Sequence, residues 1–472
     1  MPNAPQTVTI FYAVNMVGAI ANMVHPLSAV KEIAFCLRDS ESVAAITLDQ
    51  FYDKFVEVRR EVELPHLIIT SVADALSPIM KLGYKLTEGR KIKKPEGDDF
   101  IWWKDFLRQG ENVTDYRCHR DAGAPAAILY SGGTTGTMKG ISLSNLNFNA
   151  LAAQIIATNS FFRPGDKMLA IMPMFHGFGL GVSIHSMLAN GGHCILIPRF
   201  TPKSYAQLLK KHRPNLIAGV PSLFEALLRV PEADALELSC LCLLYTSDAA
   251  DGATIKVREG YGTTECVTAS CLTPMHKAKE GSIGLPFPDT YYKIVKPGTT
   301  QEVPYGEEGE ICLAGPTVML CYVNHPKETA DTMKDHGDGL IWVHTGDLGK
   351  MDEEGFIYFR QRIKRMIVTN GYNVYPSQIE NVLEAHEAVH LACVIGVKDP
   401  IRVQRVKAFI MLKPGYEGSE ELKKSILEHC TKYVAKYAMP RELEFRPELP
   451  KTLVGKVAYR VLEEEEAAKE MA

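Results

Sequence analysis

The sequence predicts an α/β protein, with a large N-terminal domain of layered α/β sheets plus a small β subdomain, followed by a small mobile α+β C-terminal domain. Three changes of texture along the 472 residues carry this prediction. Over the first half, short apolar runs such as AAILYS, KMLAIMPM and HCILIPRF end in Gly- or Pro-rich turns. They alternate with helix-like stretches such as TPKSYAQLLKKH, the pattern of layered, largely parallel sheets. From about Gly281 to Phe359, short strands and frequent turns (GSIGLPFPDTYYKIVKPGT, EEGEICLAGPTVML) mark the β subdomain. Near Gln361 an extended segment, IKRMIVTNGYNVY, leads into a helix that starts after Pro376 with Ser377 in its first turn. The domains are placed at 1–362 and 363–472, with the subdomain at about 281–359.

The other elements follow from local composition. The apolar stretch Val8–Val24 reads as a buried helix: Asn15 and Asn22 interrupt it, it is short for a membrane span, and no basic start precedes it. The basic run Lys81–Gly97 reads as a solvated loop, and the closing VLEEEEAAKEMA as a frayed, solvated helix end. Hydrophobic residues make up 46% and charged residues 23%, with a formal net charge of -4. That balance gives no footprint for a nucleic-acid partner. Eleven cysteines are scattered without a CxxC pair or a Cys/His cluster of metal spacing, which points to reduced thiols and a cytoplasmic protein.

YSGGTTGTMKG, residues 130–140, carries the chemistry. Gly132, Gly133 and Gly136 let the backbone approach an anion, while Ser131, Thr134, Thr135 and Thr137 add hydroxyls and Lys139 a positive charge. Phosphate oxygens are the natural guest. A Walker loop is excluded, because Lys139 follows Met138 and precedes Gly140 where Gly-Lys-Ser/Thr is required. REGYGTTE (Arg258–Glu265) places an aromatic ring, a turn glycine, two threonines and a carboxylate able to hold Mg²⁺. HTGDLG places Asp347 in a turn, where it can accept from two ribose hydroxyls. RQRIKRMIV places Arg362 and Lys364 at the domain boundary, and PKTLVGKVAYR places Lys456 in a loop near the C-terminus. Taken singly, each reads as a polar turn; their joint order sets them apart.

In that order the stretches resemble the adenylate-forming superfamily, which includes acyl-CoA synthetases, 4-coumarate–CoA ligases, firefly luciferase and the adenylation domains of peptide synthetases. The texture of FHGFGLG, GSIGLPFP, EEGEICLAGPTVM and GYNVYPSQIE is similar to the acyl-CoA ligase branch. The resemblance implies a two-step reaction. A carboxylate attacks the α-phosphate of ATP to give an acyl-adenylate and pyrophosphate, and the thiol of coenzyme A then displaces AMP. It further implies that Ser131–Gly140 cradle the β- and γ-phosphates, and that Tyr261, Gly262 and Thr263 flank the adenine. Thr264 would contact the α-phosphate, Glu265 would ligate Mg²⁺, and Asp347 and Arg362 would hold the ribose. Lys456 would bridge the attacking carboxylate and the α-phosphate, and Lys364 matches a hinge. His176 would lie by the acyl pocket, or else is a packed core histidine.

The sequence departs from the family pattern at several places. Met138 replaces a usual proline, Cys321 a usual glycine (with a strained turn expected there), and Val368 a frequent second-step lysine. The chain opens at FYAVNMVGAI as though well inside the family's first domain. The segment CLLYTSDAAD stands where a strand, a turn and a helix are expected. It is read as foreign, as of translated adapter sequence, with no strand or helix length to spare. The expected activity is an ATP-dependent acid–CoA ligase for a fatty or aryl acid, with Gly177, Gly179 and Gly181 leaving room for the acyl chain. The alternatives are transfer to a carrier-protein thiol and an inactive nucleotide-binding relic.

Overall fold

A computed structural model describes residues 1–132, 138–158, 162–220, 257–369, 372–400, 402–436, 438–452 and 457–471, with short pieces at 223–224, 227, 230 and 243–245. The expected parallel sheets are present. Ala44–Leu48, His66–Thr70 and Ile101–Trp102 pair in parallel. Helices Val30–Asp39 and Tyr52–Glu61 supply Ile33, Leu37, Phe55 and Val58 to the same core as Leu67 and Ile69. A second parallel sheet runs Val257–Arg258, Leu243–Tyr245, Leu216–Ala218, Lys167–Ala170, His193–Leu196. Leu243–Tyr245 belongs to CLLYTSDAAD, so that segment does contribute a strand; its other residues lie outside the described ones.

A third sheet is mixed. Ala21–Met23 pairs in parallel with Pro125–Gly132, which pairs antiparallel with Met138–Ser144, and that strand with Cys321–Tyr322. The N-terminal apolar stretch is therefore not one helix. The helix Pro5–Met16 ends, Gly18 turns at φ +77°, and the chain resumes as a strand. Cys118 and Arg120 crowd the space beside Gly18, which leaves no room for a further helical turn. The basic run is solvated, but much of it is helical, over Pro78–Leu86 and Glu88–Lys91.

The strands expected over 281–359 form, but they serve three sheets. Leu285–Pro286 pairs with Cys271–Leu272, Cys321–Tyr322 joins the mixed sheet, and the rest follow the order Tyr291–Val295, Gly309–Ala314, Ile341–Met351, Met333–Asp335. The chain divides into two compact units. One comprises Met1–Lys293, Cys312–Thr345 and Asp352–Ile357; the other comprises Ile294–Ile311, Gly346–Met351 and Tyr358–Ala472. The last segment of the second unit begins at Tyr358, and two earlier segments join it.

In the second unit, Val403–Leu412 is the central strand, between Val389–Asp399 and the parallel Glu442–Phe445, with Ile367–Thr369 and Tyr372–Val374 beyond. The expected helix after Pro376 spans Pro376–Glu384, and Ser377 Oγ in its first turn donates to the Arg360 carbonyl at 3.1 Å. The acidic C-terminal helix Tyr459–Met471 is not merely solvated. Leu462 is fully buried, and Glu466 accepts from the buried Lys407 ammonium at 2.8 Å.

That lysine also lies 3.0 Å from Glu444. Burial pulls the Lys407 ammonium down, but its bonds to Glu466 and Glu444 outweigh this and hold it above its usual range. Burial likewise pushes the Glu466 and Glu444 carboxyls up, and their bonds to Lys407, with Lys469 on Glu466 and Arg446 on Glu444, more than reverse it. Lowered carboxyls stabilise the fold above the ordinary glutamate value of about 4.3, and this stability drains as pH falls through and below it. The raised ammonium stabilises below about 10.4 and loses that effect as pH climbs past it. The part of the urea midpoint that Lys407 contributes, read as the difference between the unaltered protein and Lys407→Ala, should therefore be flat between these limits and shrink outside them. Lys407→Ala should cost about 1–3 kcal/mol at neutral pH, because the buried Glu466 loses one of its two charged donors and keeps only Lys469 at 2.7 Å.

Candidate nucleotide and acyl site

The glycine loop is a β-hairpin. Pro125–Gly132 and Met138–Ser144 pair antiparallel, with Tyr130 opposite Gly140, Ser131 opposite Lys139 and Gly132 opposite Met138. A strand–loop–strand differs from the strand–loop–helix of a Walker site. Ala127, Leu129, Ile141 and Leu143 are fully buried and anchor both strands. The Tyr130 hydroxyl donates to the Cys36 carbonyl at 2.8 Å. The hairpin tip, with Gly133, Thr134, Thr135, Gly136 and Thr137, lies outside the described residues.

REGYGTTE folds as Gly260–Tyr261, paired antiparallel with Cys271–Leu272, followed by the 3-10 turn Thr264–Cys266. The buried Arg258 guanidinium pins its start by donating to the carbonyls of Thr273 and Met275, both at 2.8 Å. Thr263 is buried, while Tyr261, Thr264 and Glu265 are half-buried. After Cys266, Val267 and Thr268 take φ +54° and +70°. The Thr268 N–H donates back to the Thr263 carbonyl at 2.8 Å, which closes the turn. Gly262 is needed for close approach: a Cβ there would lie 2.5 Å from the Thr268–Ala269 backbone.

Segment Gly315–Tyr322 joins these two motifs. Leu320 N–H donates to Ser142 at 2.9 Å, and Met319 N–H to the Glu265 carbonyl at 2.8 Å. The Tyr322 hydroxyl donates to Glu265 Oε1 at 2.8 Å, and the Lys139 ammonium sits 4.7 Å from the centre of the Tyr322 ring. Lys139 and Glu265, far apart in sequence, are thus brought to one aromatic side chain. The strain expected at Cys321 is absent: the residue is an extended strand residue opposite Ser142, and Asn324 takes the left-handed conformation instead.

His176 is half-buried, and its Nδ1 accepts from the Phe178 N–H at 3.2 Å, so the neutral ring carries its proton on Nε2. Phe178–His185 follows as a π-helix. The expectation that the glycines here leave room for an acyl chain is overturned. A Cβ on Gly177 would overlap the Thr268 hydroxyl, one on Gly179 the carbonyl oxygens of Met172 and Pro173, and one on Gly181 would lie 2.7 Å from Val267 Cγ1. These three positions are filled by the protein's own packing.

The remaining expected residues lie in the second unit. Asp347 sits within the long strand Ile341–Met351, not in a turn. Gly346 at φ +71° kinks that strand without ending it, and its N–H donates to Glu310 Oε1 at 3.0 Å. The Asp347 side chain is buried and pairs with Arg362 Nε at 3.1 Å; Arg362 ends the strand Ile357–Arg362 with its side chain 44% exposed. Lys364 lies on the 3-10 turn Ile363–Arg365, and its side chain is outside the described residues. Lys456 is also outside them. Val368 is a strand residue whose N–H donates to Gln404 Oε1 at 2.8 Å.

The donor set suits a magnesium triphosphate. Glu265 offers a hard carboxylate oxygen beyond the one bonded to Tyr322. Lys139, anchored over the ring, offers a cation, and the Thr268 hydroxyl is buried without a hydrogen-bond partner among the described residues. An AMP-binding enzyme family model matches residues 1–323, and the model of the AMP-binding enzyme C-terminal domain matches residues 378–456. The chain belongs to the AMP-binding enzyme family, among its acyl-CoA ligases. A long-chain-fatty-acid–CoA ligase of Bacillus subtilis is 35% identical over 99% of this chain and 84% of its own length. A probable 4-coumarate–CoA ligase 3 of Dictyostelium discoideum is 29% identical over 98% of this chain and 84% of its own. Among solved structures, an anthranilate CoA ligase in complex with anthranoyl-AMP superposes with a TM-score of 0.85 at 24% identity, over 100% of this chain and 87% of that one. ATP-bound MatB from Rhodopseudomonas palustris gives 0.82 at 24% identity, over 98% and 87%. At that identity the two structures speak for the fold. Adenylate-forming CoA ligases use ATP, Mg²⁺ and coenzyme A. No helix among the described residues is long and apolar enough to cross a membrane.

Sequence reasoning missed Tyr322, because its partner Glu265 lies 57 residues away and no local pattern links them. It also missed the meeting of Cys312, His336 and His344. Tyr322→Phe removes a hydrogen bond to a charged group worth about 1.5–3 kcal/mol. Its kcat/KM should fall roughly tenfold or more with little change in thermal midpoint, as steady-state pyrophosphate release and a melt will show. Gly179→Ala should lower the unfolding free energy, measured by urea titration, by about 1–3 kcal/mol through overpacking. The control Gly83→Ala, on a helix with open space at its Cβ, should be neutral or stabilise by up to about 1 kcal/mol.

Proposed function

We propose that this chain is a cytoplasmic, ATP-dependent acid–CoA ligase for a fatty or aryl carboxylic acid. One observation carries the reading: Lys139 and Glu265 converge on Tyr322 beside the glycine hairpin. A cation and a magnesium-ligating carboxylate held together suit a reaction whose charge builds on the α-phosphate and the leaving pyrophosphate. In the first step a carboxylate oxygen bonds to the α-phosphorus and the bond to pyrophosphate breaks. In the second, the thiol sulfur of coenzyme A bonds to the acyl carbon, the bond from that carbon to the phosphate oxygen breaks so that AMP leaves, and the thiol proton passes to solvent. In this reading the hairpin with Ser131, Gly132 and Lys139 holds the β- and γ-phosphates. Tyr261, Gly262 and Thr263 flank the adenine, and Thr264 contacts the α-phosphate. Asp347 and Arg362 take the ribose, and their existing ion pair means that the Asp347 carboxylate is already oriented and desolvated. Lys456 neutralises the attacking carboxylate, His176 borders the acyl chain, and Lys364 is the hinge between large and small domains set at 1–362 and 363–472. Bound magnesium supplies charge neutralisation for the triphosphate. The bacterial relatives named as long-chain-fatty-acid–CoA ligases favour a long fatty chain over an aryl acid. A carrier-protein thiol is the second reading of the acceptor, favoured at one position, because apolar Val368 stands where a cation would greet coenzyme A.

Pyrophosphate release from ATP and Mg²⁺ with a panel of fatty and aryl acids tests the first step. Release should depend on the acid and fall by roughly 10²–10³-fold in Lys456→Ala, as for loss of one preorganised charge-stabilising donor. Thioester formation on adding coenzyme A tests the acceptor. Absent release by folded protein would instead mark the chain as an inactive relic, and release without an acid would overturn the carboxylate as the attacking group.

A further inference from the structure

None of Cys312, His336 and His344 is among the residues assigned to the nucleotide or the acid, although His344 lies three residues before Asp347 on the same strand. Cys312 is on the strand Gly309–Ala314, His344 on Ile341–Met351, and His336 immediately follows Met333–Asp335. The antiparallel pairing of Met333–Asp335 with Ile341–Val343 ends just before His336, whose ring reaches back past Trp342 to His344, and Cys312 comes from a strand of the same sheet. One ligand atom from each residue lies within 4.8 Å of the other two. The two Nε2 atoms are 3.0 Å apart. Cys312 and His344 are buried and His336 half-buried. The His336 ring stacks on Trp342 at 5.5 Å and 22°, and Trp342 is itself held by Nε1–H donated to both oxygens of Asp338 at 3.1 Å.

We propose that Cys312, His336 and His344 form a binding site for a divalent transition ion, zinc being the nearest fit, that clamps these three strands. A thiolate with two imidazoles is a borderline-soft ligand set that selects such ions over Mg²⁺ or Ca²⁺. Zinc–nitrogen bonds of about 2.0–2.1 Å at a tetrahedral angle set two imidazole nitrogens about 3.3 Å apart. The observed 3.0 Å therefore needs only a small opening, and the thiol an approach of roughly 1 Å. Three protein ligands leave the fourth position to water. The competing account of the geometry is a plain hydrogen bond from one imidazole Nε2 to the other.

The test uses tag-free full-length protein, stripped with a chelator and titrated with Co²⁺ in the absence of nucleotide. The expected result is one equivalent bound, with visible d–d bands of tetrahedral intensity and a near-ultraviolet thiolate-to-cobalt charge-transfer band. Cys312→Ser should remove the charge-transfer band. His336→Ala, a change at the most exposed ligand, should weaken Co²⁺ binding by more than the roughly 10–100-fold that loss of an outer partner costs. Zn²⁺ should raise the melting temperature of the unaltered protein and not that of either variant, whose metal-free melts report whether they fold. Lack of a charge-transfer band, its survival in Cys312→Ser, or unchanged affinity in folded His336→Ala would each overturn the proposal.

Discussion

The left-handed turn at Val267–Thr268 is the constraint on which the first unit's site depends. Two consecutive β-branched residues at positive φ cost of order 1–3 kcal/mol each, and such strain persists only where the surroundings over-determine it. Here they do. Val267 is fully buried, Thr268 N–H returns to Thr263, and Ser270 N–H returns to Tyr261 at 2.9 Å. The turn reverses the chain directly after Glu265, so the carboxylate stands at the head of a tight loop and not along a helix. Its bulk then dictates residues elsewhere. Gly262 is glycine because the Thr268–Ala269 backbone passes beside it, Gly177 because the Thr268 hydroxyl does, and Gly181 because Val267 does. One strained turn accounts for glycines in two separate motifs.

That dependence explains what the sequence showed and what it hid. YGTTE and the Pro376 helix start were legible because each is written in neighbouring residues: a turn glycine in one, a proline at the first helical position in the other. The use of the three glycines after His176 was not legible. A glycine that admits a ligand and one that admits the protein's own neighbouring atoms look alike until those neighbours are placed. Asp347 was read as a turn residue because TGD is turn chemistry; the long strand absorbs the glycine as a kink. Glu466 was hidden in an acidic run, where only Lys407 from a distant strand distinguishes it from its solvated neighbours.

Tyr322 shows a second kind of illegibility. Its hydroxyl, ring face and backbone each do something different: the hydroxyl bonds to Glu265, the ring receives Lys139, and the strand pairs with Ile141. A lysine over an aromatic face gains about 0.5–2 kcal/mol depending on desolvation, and a tyrosine–carboxylate bond gains comparably. Neither is large. Together they fix two charges of opposite sign before any ligand arrives, which spares the ligand the cost of ordering long side chains. Preorganisation of this kind is what charge development at phosphorus requires.

The same logic separates the two classes of ionic group in this protein. Lys407 with Glu466 and Glu444 is a closed arrangement in which every charge has its counter-charge, so its effect is structural and appears only as pH stability. Lys139 has a quadrupole beneath it and Glu265 a neutral hydroxyl, so neither charge is neutralised by its described partner. Charges held in place yet left uncompensated are poised for a ligand carrying both a negative triphosphate and a cation. By that criterion the Tyr322 cluster, and not the better-paired network of the second unit, is where chemistry belongs.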